Sequence, residues 1–296
     1  MMGRLLVLGL LVVAGIAAWG QSAVEVLEEQ TVARIREFAA KGDGVIAVAA
    51  IDLSTGRRFG VNFETELAQA SVIKVPILWR VMSAVQAGEL SLAARYTLQP
   101  NEAVGGSGRL QQQLRKGPVT LTLADLLRKM IENSDNTATN KVIELAGMER
   151  VNQAMAELGL RQTRLQRIMM DTAAAGEGRE NVSTAAEMAG LMQRIWQREQ
   201  ENDAAAKQMV DWLELVPGEV KKVAGGARVA AKTGELTGVR NEAAIVYLPR
   251  RPYVLVVLSA FQAGATNPAG EVARIVHAHV LRLASANAYG NGVWAP

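Results

Sequence analysis

The chain of 296 residues contains no cysteine. That absence excludes a disulfide framework, a thiol nucleophile and a cysteine-ligated zinc site. Histidine is nearly as scarce: His277 and His279, both in the late segment RIVHAHVLR, are the only two. A Ser-His-Asp triad or a multi-histidine metal centre would have to draw on that pair. Two apart on a helical segment, they point in different directions and read as surface or core residues. Charge of one sign is lacking too, since 32 Lys plus Arg against 29 Asp plus Glu leave a net charge of only +3. A nucleic-acid footprint needs basic residues clustered on one face, so nucleic acid is not an expected partner. No repeat, low-complexity tract or Pro/Ser-rich linker interrupts residues 24–285.

What is present is a globular composition, with 49% hydrophobic and 21% charged residues, and one long apolar run. Arg4 precedes a stretch without charge from Leu5 to about Ala18, and the small residues Ala18 and Gly20 precede Gln21. Basic head, apolar centre and small-residue end are the layout of a secretory signal peptide. At roughly 14 residues the run is shorter than the ~20 of a stable spanning helix. Residues 1–20 are therefore expected to be removed on export to the periplasm or the medium, leaving no stable membrane span. The alternative is an uncleaved anchor at the membrane surface.

Residues 21–296 read as one domain. A helix from about Val24 to Ala40 stops at Gly42-Asp43-Gly44; VIAVAAIDL (45–53) and RRFGV follow as strands across the turn Ser54-Thr55-Gly56. Helical patterns dominate from about Val72 to Leu213, and Thr184 with Glu187 has the spacing of a capping box. Three strand-like runs, ARVAAKTG (227–234), AAIVYLP (243–249) and PYVLVVLSAF (252–261), precede a last helix from about Ala269 to Ala284. Short links between consecutive strands call for an antiparallel sheet, since parallel pairing needs longer crossovers. The expectation is an α+β sandwich, with terminal helices on the sheet (about 24–66 and 214–285), a helical lobe (about 67–213) and a cleft between them.

Three short motifs carry chemistry. In Ser71-Val72-Ile73-Lys74, residues three apart share a helical face, which brings Ser71 Oγ within reach of Lys74 Nζ. A lysine whose pKa is depressed by burial or nearby cations can take the serine proton, and the helix N-terminus offers a positive dipole end to an oxyanion. Alone the motif is weak, because a capping serine and a surface lysine produce it by chance. Ser134-Asp135-Asn136 lies between two helical patterns, where Ser134 or Asp135 would ordinarily cap the second helix. Lys232-Thr233-Gly234 ends a late strand and can offer a cation and a hydroxyl to a substrate carboxylate.

The ordered triple is far less common than its parts. With GVIAVAAIDLSTGRRFG ahead of Ser71, PVTLTLADLLRKMIENSDNTATNKVI around Ser134 and Thr163-Arg164-Leu165 further on, the chain resembles the class A β-lactamase family over nearly all of residues 24–285. The resemblance implies a β-lactamase/transpeptidase-like fold and an enzyme without metal or organic cofactor, working as a monomer on a β-lactam or a D-Ala-D-Ala peptide. It implies Ser71 as nucleophile, Lys74 as base or proton relay, and Ser134 as proton donor to the leaving nitrogen. Asn136 would hold the substrate's amide side chain, Lys232 would stabilise charge and orient Ser134, and Thr233 would bind the carboxylate beside Gly234. Ser71 and Glu235 would supply oxyanion-hole amides, Arg240 is a candidate carboxylate anchor, and Asp135 would brace its loop.

One departure bears on turnover. Efficient members carry a Glu-x-x-x-Asn motif just after the Thr-Arg-Leu stretch, and its carboxylate activates the deacylating water. By spacing, Met169 and Ala173 stand there in this chain. A thioether cannot take a proton from water, so general-base help of roughly 10²–10⁴-fold is missing. Asp171 is the nearest carboxylate and a candidate relocated base, although pairing with Arg164 or Arg167 to pin the loop is the simpler reading. Glu177 and Glu180 are weaker candidates. The pattern resembles penicillin-binding D,D-peptidases that lack the loop glutamate. A sensor that stays acylated by a β-lactam or muropeptide is a further alternative; a serine glutaminase fold shares S-x-x-K but not the later motifs.

Overall fold

The structure, a computed structural model, describes residues 21–264 and 267–293, so the signal-peptide reading of residues 1–20 lies outside the described residues. The chain enters α1 (Ala23–Lys41) through Ser22, whose hydroxyl accepts from Glu25 N while the Glu25 carboxylate accepts from Ser22 N. That reciprocal pair satisfies two otherwise orphaned amides. β1 (Val45–Asp52) turns back into β2 (Arg58–Val61), and β3 (Leu67–Ala68) leads through a 3₁₀ turn (Ala70–Ile73) into α2 (Lys74–Gln86). The helical half then runs through β4 (Arg95–Leu98), α3 (Leu110–Leu114), β5 (Val119–Thr122), α4 (Leu123–Glu132), α5 (Asn136–Ala146) and α6 (Met148–Glu157). It continues with α7 (Thr172–Gly176), β6 (Val182–Ser183), α8 (Ala185–Gln200), α9 (Ala204–Glu214) and α10 (Glu219–Val223). Finally β7 (Arg228–Leu236), β8 (Val239–Tyr247) and β9 (Tyr253–Ala260) precede α11 (Pro268–Ser285).

Five strands form one antiparallel sheet in the order β2-β1-β9-β8-β7, so the two ends of the chain meet where β1 pairs with β9. The architecture is the expected α+β sandwich. Alternation along β1 assigns its faces: Ile46, Val48 and Ala50 pack with Ile35 of α1 and Val272 and Val276 of α11. Ala47, Ala49 and Ile51 join the larger core shared with the helical half. Burial on both faces explains why these strands read as continuous apolar runs. α2 lies inside the helical half with Val75, Ile77, Leu78, Val81 and Met82 all buried, while Arg80 turns outward to pair with Glu89.

Two small sheets, β3 with β6 and β4 with β5, interrupt the region expected to be helical. At two to four residues a strand they are too short for their periodicity to register. The capping-box expectation at α8 is half met. Thr184 accepts from Glu187 N, but the Glu187 carboxylate turns instead to Gln162 N and Thr163 Oγ1. His277 and His279 are both buried; their ring nitrogens lie 3.0 Å from Tyr253 OH and Thr31 Oγ1, respectively.

Candidate active site

The Ser71 turn is held from both ends. Gln69, fully buried, donates its backbone N–H to Asn181 O and its side-chain amide to Leu67 O and Ser183 O. Ala70 takes a left-handed φ of 48°, a conformation that costs free energy and is kept only where the surroundings impose it. Ser71 thus sits in the 3₁₀ turn and α2 starts only at Lys74, a correction to the reading of one helix opening at the serine. From the other side β7 lies against this turn. A Cβ on Gly234 would come within 2.8 Å of Ser71 N and of Gln69 O, so only glycine permits the approach.

Lys74 is 0% exposed. Its Nζ donates to Ser134 O at 2.7 Å, Ser134 Oγ at 3.1 Å and Asn136 Oδ1 at 3.1 Å. The helical-face argument expected Ser71 as its partner; with three donors given to the Ser134–Asn136 loop, the ammonium has none left for Ser71 Oγ. Lys232, 1% exposed, donates to Ser134 Oγ at 3.2 Å and Thr233 O at 2.8 Å. Ser134 Oγ therefore bridges two buried lysines. Burial, with Lys232 adding to it and Asp135 opposing, holds Lys74 well below its ordinary pKa; burial lowers Lys232 to about 7 against the attraction of Glu242.

Ser134 is itself left-handed, at φ 52°. Asp135 holds it there by accepting from Arg109 N and Leu110 N at 2.8 Å and from Ala138 N at 3.0 Å, so it both braces the loop and caps α5. Asn136 Nδ2 donates to Gly105 O. Ser71, Asn136, Met169, Asp171, Glu180 and Glu235 line a cleft of about 420 Å³. Thr233 is half-buried within β7, which runs on to Leu236, so the Lys232-Thr233-Gly234 motif lies inside the strand and does not end it as expected. Arg240, also half-buried, donates its guanidinium to Gly264 O.

The loop after Leu165 differs from expectation in its ion pairs. Asp171 pairs with neither arginine: Arg164 bonds Glu66 and Arg167 forks onto Glu180, while Asp171 Oδ1 accepts from Ala174 N and caps α7. Glu177 is exposed and paired with Arg179. Met169, 7% exposed, is fixed by Asn140, whose side-chain amide accepts from Met169 N and donates to Met169 O. Asn140, Gln69 and Asn241, which donates to Ala68 O at 2.7 Å, were not singled out from the sequence; polar residues inside or beside apolar patterns carry no local signal of the distant backbone they bind. Among the described residues no group of three or more His, Asp or Glu is arranged to hold a metal ion.

A profile of the β-lactamase enzyme family matches residues 30–280. The chain belongs to that family. Its relatives within it include β-lactamase ROB-1 of Haemophilus influenzae, 25% identical over 81% of this chain and 78% of that protein. The solved β-lactamase of Sphaerobacter thermophilus superimposes with a TM-score of 0.76 at 28% identity, covering 86% of this chain and 97% of that one. A PBP-A variant, solved as its acyl-enzyme complex with penicillin G, gives a TM-score of 0.74 at 26% identity, over 86% and 95% of the two chains. The protein is thus a class A-type β-lactamase-family serine hydrolase.

Proposed function

We propose that the protein opens β-lactam rings through a Ser71 acyl-enzyme that is released slowly. The observation that carries this reading is Ser134 Oγ shared between two buried lysines behind the Ser71 turn. A neutral lysine has two donors and one lone pair. Ser134 O and Asn136 Oδ1 can only accept, so in neutral Lys74 they keep its two N–H groups and the lone pair is left to take a proton. In the reaction Ser71 Oγ bonds to the carbonyl carbon and its proton passes to Lys74. As the C–N bond breaks, Ser134 gives its proton to the leaving nitrogen and takes the one held by Lys74. The amides of Ser71 and Glu235, brought close by Gly234, receive the oxyanion; such donors contribute about 3–4 kcal/mol. Lys232 and Thr233 attract the substrate carboxylate, and Asn136 its amide side chain.

Release needs a base for water, and the position where the family's loop glutamate would supply one holds Met169. Met169 offers a thioether, Asp171 Oδ1 caps α7, and Glu180 is forked by Arg167. Incubation with benzylpenicillin followed by intact-mass measurement tests this: an adduct that persists for many minutes is expected, and rapid return to the free mass overturns slow release. The same lack of a glutamate at position 169 supports a second reading, a D,D-peptidase on D-Ala-D-Ala peptides, for which release of D-alanine from such a peptide is the assay. A stable adduct without peptide cleavage would instead point to a sensor. Export is part of the proposal, with cleavage near Gly20–Gln21; an intact Met1 on native protein in a membrane fraction would favour the anchored form.

A further inference from the structure

The two amides that receive the oxyanion stand on different elements, Ser71 N in the 3₁₀ turn and Glu235 N on β7. Their spacing is therefore set by how the turn docks on the five-stranded sheet, and Asn241 sits at that junction. In the β7–β8 ladder it lies directly across from Gly234, whose missing Cβ lets β7 approach Ser71 N. Alternation along β8 puts its side chain on the face of Ala243 and Ile245, which join the core of the helical half. Asn241 is buried, and both ends of its amide are used. Nδ2 donates to Ala68 O at 2.7 Å, and Oδ1 accepts from Ser259 N of β9 at 2.8 Å. Ala68 belongs to β3, which pairs with β6 in a separate small sheet. Among the described residues no other hydrogen bond joins residues 67–73 to the five-stranded sheet. Apolar packing presses the turn onto the sheet without direction, and the left-handed Ala70 keeps its conformation only while its neighbours hold it.

We propose that Asn241 is a positioning residue for the oxyanion hole: by tying Ala68 O to the five-stranded sheet it sets the Ser71 amide against the Glu235 amide, so that both meet one oxygen of the reacting carbonyl. This rests on the reading of those two amides as the oxyanion hole. Asn241 touches no substrate and acts through the backbone of residues 68–71. Oxyanion donors count most in the transition state, where the oxygen carries charge. A displaced turn therefore slows acylation while the non-covalent complex stays as tight as before. A displacement of about 1 Å is enough to cost on the order of 10²-fold in rate.

The test separates the binding constant of the benzylpenicillin complex from its acylation rate constant, by intact mass over a range of concentrations. The final labelled fraction counts the folded sites. In Asn241→Ala the rate constant is expected to fall by about 10- to 100-fold with the binding constant unchanged. Asn241→Leu fills the space that alanine leaves empty and should slow acylation by a similar factor. The infrared carbonyl band of the acyl-enzyme is the second readout. Hydrogen bonds to the ester oxygen lower its frequency, so the band should move up, towards that of a free ester, in both variants. Ser259→Ala is the control: it removes a neighbouring buried tie, Ser259 Oγ to Arg240 O at 2.7 Å, and leaves the Ala68 bond in place. It should lower the melting temperature but keep the wild-type rate and band. An unchanged rate constant in Asn241→Ala, a loss confined to the labelled fraction, weaker binding in place of slower acylation, or equal slowing in Ser259→Ala would each overturn the proposal. The premise fails separately. A wild-type band at the frequency of a free ester in water removes the oxyanion hole and the proposal with it, whereas a lowered wild-type band that stays put in the Asn241 variants removes the proposal alone.

Discussion

Asn140 holds the backbone of Met169 through both its N–H and its C=O, so the side chain at that position can be exchanged without moving the loop. Met169→Glu should therefore deliver a carboxylate into the cleft. Release of hydrolysed benzylpenicillin is expected to accelerate by at least about tenfold, below the 10²–10⁴ ceiling of a well-placed base, and a stopped-flow chase of the acyl-enzyme measures it. Asp171→Asn is the control: asparagine also caps, and release should be unchanged. If only Asp171→Asn stops release in a wild type that turns over rapidly, Asp171 is the base after all. Ser71→Ala should abolish covalent labelling by a fluorescent penicillin, and labelling that survives would remove Ser71 as nucleophile. At this scale the motifs named Ser71, Lys74, Ser134 and Lys232 for chemistry from the sequence. They did not reveal that Lys74 donates to Ser134 and Asn136, because that contact joins residues about sixty positions apart.

Between elements, polar side chains fix what apolar packing leaves free. Asp135 serves three amides at once, two from the start of α3 and one from α5. In Asp135→Ala those buried donors lose their partner, which should destabilise the fold by about 2–4 kcal/mol, read from urea unfolding. Acylation should fall as well, since Ser134 is the next residue. Asp135→Asn, which still accepts, should recover part of the stability. The cap was legible because Ser-Asp-Asn ahead of an apolar pattern is a helix start. The loop's ion pairs were not: Arg167 finds Glu180 and Arg164 finds Glu66, choices made by the loop's path and by no local spacing.

For the whole molecule, the layer between the terminal helices and the sheet holds the two histidines as neutral groups. Burial lowers the pKa of His279 to about 4, with Arg251 adding to the shift and Asp52 opposing it; burial lowers His277 too. The unfolded chain takes up these protons near pH 6.5 and the folded chain resists, so this stability is full above about 6.5 and is lost as pH falls towards 4. The melting temperature should drop across that window, and the drop should be shallower in His279→Leu. An identical slope in the variant would exclude His279 as a source of the acid sensitivity. The layer exists because β1 and β9, from opposite ends of the chain, are neighbours in the sheet and bring α1 and α11 together.

Local pattern determined a good deal by itself. Strand periods, helix caps and short links called for an antiparallel sheet with terminal helices, and three ordered motifs named the family and its chemistry, since each depends on residues near one another in the chain. Tertiary structure decided what depends on distant residues meeting. It made Ser134 the shared partner of two lysines, turned Asp171 into a cap, and set Asn140 behind Met169. A buried polar group takes whichever partner the packed chain brings to it, and unpaired burial is too costly to leave that choice open.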